Sequence, residues 1–169
     1  MPLELKSFRL QKEWGRAEDQ NSPRLYLKNS SDLDLPISGG WGYSAEDCVV
    51  IDKNDPTIDP RAHFNPVSVE YLFFEKRVYA ELIVFRPRED RFSGIEWELN
   101  KQSLRIIDGH KMDVLEFRVT AFTDLDWEYL KNEWETNLGY VDDEEGKESH
   151  KKERHLRTRF YDTECWFRI

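Results

Sequence analysis

Apolar and polar positions alternate with a period of two along several stretches of this chain and with a helical period along one. Leu3, Leu5, Phe8 and Leu10 stand among charges and predict an edge or two-faced strand over 3–10, with a slip near Ser7. After a polar stretch at 12–23, residues 24–28 read as a short second strand and 29–32 as a turn. Residues 48–51 form a compact apolar strand, and 52–66, rich in aspartate and proline, a long surface loop. Between 67 and 85 the two periods compete, because Val69, Leu72, Phe73, Val78 and Leu82 suit a helix while the β-branched and aromatic ends suit strands. The favoured reading is a strand at 67–74, a tight connection or short helical turn near 75–77 and a strand at 82–86.

The second half of the chain is clearer. Ile95, Trp97 and Leu99 share one face of a strand over 92–99. Residues 104–107 and 114–119 flank Asp108-Gly109, a strong two-residue hairpin signal. A helix then starts at a Thr123 cap, with Phe122 placed to staple against Trp127. Trp127, Leu130, Trp134 and Leu138 follow helical spacing on one face, and Gly139 stands where a C-terminal cap belongs. Residues 141–155 read as either a solvated helix or a mobile loop, and 157–169 as a closing strand. The fold class is α+β: a mainly antiparallel β-sheet with one well-defined amphipathic helix near 124–138 packed on it, in a single domain over 1–169.

Composition adds core material and a charge asymmetry. Six Trp, ten Phe and seven Tyr supply large rings for a core, and two cysteines are too few for a disulfide framework. No run is long and apolar enough for a membrane span and no secretory leader is visible, which predicts a cytoplasmic protein. The formal charge of −9 argues against a nucleic-acid surface. Residues 124–148 hold ten acids against two lysines, whereas 149–169 hold six basic residues against three acids.

No catalytic constellation, cofactor motif or metal site emerges. The glycine-rich stretch 39–44 fits neither phosphate-binding fingerprint and reads as a packed turn. The aspartates at 52–59 lack the glycine and spacing of a calcium loop. A Cys48, His63 and Asp52 grouping would put its thiol in an apolar strand rather than an electropositive setting. The acidic segment is the best candidate for a binding surface, formed by Asp124, Glu128, Glu135, Asp142, Asp143, Glu144 and Glu145, because opposite potentials steer a basic partner. A pocket beside Trp41, Tyr43 and Asp47 is the alternative, for a small enzyme or ligand-binding domain. A structural or scaffold subunit is the third reading.

With Gly-Gly-Trp-Gly-Tyr-Ser at 39–44 and the acidic, tryptophan-containing helix, the chain resembles the immunity proteins of bacterial polymorphic toxin systems and related bacterial domains. The resemblance implies a cytoplasmic inhibitor without turnover, which occludes a basic toxin domain through its acidic surface.

Overall fold

The computed structural model describes residues 1–5, 8–10, 14 and 21–169. The slip near Ser7 and most of the polar stretch 12–23 lie outside the described residues. The fold is α+β, built on a six-stranded mixed sheet in the order β2-β3-β6-β5-β4, with β1 also paired to β6. These strands are β1 (Leu3–Glu4), β2 (Ile37–Gly39), β3 (Val49–Ile51), β4 (Phe92–Ile107), β5 (His110–Thr123) and β6 (Arg159–Arg168). β1 and β3 run parallel to β6, and the other pairs are antiparallel. The strand expected over 3–10 contracts to Leu3–Glu4; Phe8 instead enters the core and stacks on Tyr161 at 4.5 Å.

The central hairpin forms as its sequence predicts. Asp108 and Gly109 both take positive φ, 51° and 78°, as the tight turn requires, and Ile107 pairs with His110 across it. The strands expected at 92–99 and 104–107 are one continuous β4, because a partner strand of similar length supports it.

Two expected strand regions are helices. α1 (Pro23–Ser31) replaces the strand at 24–28: Ser22 caps Leu25 N, Pro23 occupies the first turn, and Pro23, Tyr26 and Leu27 turn inward at helical spacing. α2 (Pro66–Tyr79) replaces the strand at 67–74 and the connection after it, and continues through a π-helical turn at Ala80–Val84 in place of the strand at 82–86. Asn65 caps Val67 N and Pro66 again opens the helix. The buried positions 69/70, 73/74 and 77/78 recur every four residues, the signature of a helix sunk into a core.

α2 is therefore the main covering helix. With α1 it packs on Leu115, Phe117, Val119 and Ala121 of β5 and on Tyr161, Cys165 and Phe167 of β6. The helix expected near 124–138 is α3 (Asp124–Thr136), which buries only Leu130 completely. It sits at one end of the opposite sheet face, with Trp127 5.4 Å from Phe122. The charged segment after it is α4 (Glu144–Arg157), which leads directly into β6. No described helix is long and apolar enough to cross a membrane.

Candidate functional site

The helical hairpin α3–α4 gathers the acidic and basic blocks of the sequence. Thr123 Oγ1 accepts from Asp126 N to start α3, and Asp143 Oδ1 accepts from Gly146 N to start α4. The two helices are clamped at their base by Asp126, which pairs with Arg157 and Arg159. Near the turn, Glu133 Oε1 lies 3.0 Å from His150 Nδ1 and accepts the Tyr140 hydroxyl at 3.0 Å. The His150 contact and neighbouring tyrosine hydroxyls hold the Glu133 carboxyl below the ordinary glutamate range. The rings of Trp134, Tyr140 and His150 close around one another at 5.1–5.9 Å.

The turn itself is unusual. Leu138, Gly139 and Tyr140 all have positive φ, at 52°, 68° and 54°, a conformation that costs a non-glycine residue roughly 1–2 kcal/mol. Tyr140 is held inward by Glu133, so Leu138 swings outward. Leu138 does not continue the buried face of α3 as its spacing suggests: the helix ends at Thr136, and Leu138 is 82 % exposed. Val141, just beyond, is 76 % exposed.

The predicted acids divide into two groups. Glu135, Asp142, Glu144 and Glu145 are exposed around this turn, and no described residue forms an ion pair with any of them. Asp143 joins them while capping α4. Asp124 and Glu128 lie nearer the start of α3, where Asp124 accepts from Ser93 Oγ at 2.6 Å and Glu128 pairs with Lys131 at 2.8 Å. Asp124 and Glu135 are about 16 Å apart along the helix axis.

Between α3 and α4 lies a groove of about 370 Å³ that sequence reasoning missed. Trp127, Leu130 and Trp134 line one wall; Lys147, His150, Lys151 and Arg154 line the other. The signal was present in the sequence: Lys147, His150, Lys151 and Arg154 occupy i, i+3, i+4 and i+7 of α4, matching Trp127, Leu130, Lys131 and Trp134 on α3.

Of the alternative pocket residues, Trp41 is buried against Tyr26 and Phe73. Tyr43 donates its hydroxyl to Glu81 and accepts from Leu10 N, both at 2.9 Å. Asp47 accepts from Tyr43 N and closes over Gly40, where a Cβ would fall 1.8 Å from Asp47 Oδ1. These contacts fasten the glycine loop to the core. Of the three, Tyr43 also lines a polar cavity of about 450 Å³ on the edge of β6, with Arg9, Glu116 and Thr163. Among the described residues no group of three or more His, Cys, Asp or Glu side chains is arranged to hold a metal ion.

No known protein family, no curated protein and no solved structure matches this chain.

Proposed function

We propose that this is a non-enzymatic, cytoplasmic binding protein whose α3–α4 turn docks a basic protein, in the manner of an inhibitor that occludes a toxin domain. The observation that carries this reading is an apolar pair, Leu138 and Val141, standing in solvent on a chain segment flanked by the exposed carboxylates of Glu135, Asp142, Glu144 and Glu145. An apolar centre with a polar rim is the anatomy of a protein–protein interface. The left-handed turn supports the reading further, since local strain persists where surrounding structure enforces it and is concentrated at binding and switch regions. The acids would steer a cationic partner, and Leu138 would enter a pocket on it.

Affinity capture with the intact protein, compared with Leu138→Ser and with the double reversal Asp142→Lys/Glu145→Lys, tests the proposal. One basic protein should be retained by the wild type, released at about 0.5 M salt, and held at least tenfold more weakly by both variants. Equal retention by all three proteins would remove the turn from the account.

A further inference from the structure

We infer that the groove between α3 and α4 is a second binding site, independent of the turn, for a planar aromatic anion of the nucleoside mono- or diphosphate class. The argument begins with what the facing helix stripes should contain. Two helices that pack on each other present apolar residues at i, i+3, i+4 and i+7. α3 does so with Trp127, Leu130 and Trp134, but α4 answers with Lys147, His150, Lys151 and Arg154, of which only His150 is buried. The groove is consequently left open, with Trp134 still 40 % exposed.

Its charge is opposite to that of the molecule. Lys131, Lys147, Lys151 and Arg154 line it against the single carboxylate of Glu135, in a chain of net charge −9. The Arg154 guanidinium lies over the Phe122 and Trp127 rings at 5.1 and 5.6 Å and helps form the wall. Lys147 has no ion pair among the described residues. Lys131 and Lys151 are paired with Glu128 and Glu148 three residues away on the surface. Such exposed pairs contribute little, so a phosphoryl group can displace them.

His150 adds a fixed polar atom. Its side chain is 7 % exposed, Glu133 holds Nδ1, and no described residue hydrogen-bonds Nε2. When Nδ1–H donates to the carboxylate, Nε2 of the neutral ring is an acceptor for a ligand hydroxyl or amine; protonated, it donates to an oxyanion. The partly exposed indole of Trp134 suits a base, since bases stack on aromatic side chains. The volume falls within the range of small-molecule sites, about 300–1,000 Å³.

Titration calorimetry with ADP, adenosine and inorganic phosphate, at about 50 mM salt, tests the assignment. ADP should bind saturably, and adenosine and phosphate each at least tenfold more weakly. Lys147→Glu and Lys151→Glu should each weaken ADP at least tenfold while thermal unfolding is unchanged. Trp134→Leu should abolish the preference for ADP over phosphate; should that variant unfold, the Lys147 and Lys151 variants decide the matter. Leu138→Ser should leave ADP binding intact, which separates this site from the protein-docking turn. No saturable heat with ADP up to about 1 mM, phosphate binding as well as ADP, or an affinity indifferent to Lys147→Glu would overturn the inference.

Discussion

Two regions of this molecule are built from the same kind of ion pair, with opposite consequences. Under α2, Arg77 and Glu81 are fully buried at i and i+4 with Nε and Oε1 3.2 Å apart. Arg77 also donates to Trp41 O, Thr163 Oγ1 and Glu164 O, while Tyr43 and Tyr161 both donate to Glu81. Burial pushes the Glu81 carboxyl up, opposed by Arg77 and the two hydroxyls. In the α3–α4 hairpin, by contrast, Lys131–Glu128 and Lys151–Glu148 stand largely in water. Water screens the second set and leaves those charges exchangeable, whereas the first set is locked into one geometry that pins α2, the glycine loop and β6 together. The core charges specify the fold, whereas Lys131 and Lys151 on the hairpin surface stay exchangeable.

The largest effect that would sharpen this contrast comes from Arg77→Met. Removing one partner leaves Glu81 buried without its countercharge, at an expected loss of about 3–5 kcal/mol in denaturant unfolding. Lys151→Met should change stability by less than about 0.5 kcal/mol. Comparable losses in the two variants would erase the distinction.

A second buried carboxylate extends the comparison to pH. Glu70, on α2, lies against Asp113 of β5, and burial first and the Asp113 charge second raise its pKa to about 7. The folded state therefore holds a proton that the unfolded chain releases near the ordinary glutamate value. The resulting stabilisation is complete below that value and is lost as pH rises through 7, up to about 3 kcal/mol in all. Glu70→Gln cannot ionise, so its stability relative to wild type should improve between pH 5 and pH 8. A wild-type-to-variant difference that stays constant over this interval would contradict the assignment.

These cases show why some of the molecule was readable from the chain and some was not. The hairpin around Asp108-Gly109 and the start of α3 at Thr123 are set by neighbours in sequence, so local chemistry was enough. α1 and α2 carry equally local start signals, Ser22-Pro23 and Asn65-Pro66, but the apolar density that followed outweighed them. Arg77 and Glu81 have the spacing of an ordinary surface pair; only contacts with residues as distant as Glu164 show that they are core. The acids at 142–145 were legible as composition. The outward turn of Leu138 was not, because Tyr140, held through Glu133 and Asn137, forces the backbone there. The groove depended on pairing two helical stripes, and neither stripe was diagnostic alone.

The smallest expected effect is the most discriminating, since it places stability and binding in opposition within the hairpin. Leu138 combines positive φ with near-complete exposure, so the folded state gains little from its side chain and bears a backbone cost. Leu138→Gly removes the steric penalty of about 1–2 kcal/mol and returns part of it as unfolded-state entropy. The variant should be more stable than wild type by about 0.5–1 kcal/mol in urea unfolding. It should nonetheless bind the partner captured by the wild type at least tenfold more weakly, because the apolar anchor is gone. A gain in stability with unchanged capture would show that the turn is a strained connection and nothing more. A loss of stability would show instead that Leu138 packs on the hairpin, and that the contrast between a locked core and an available surface does not reach this residue.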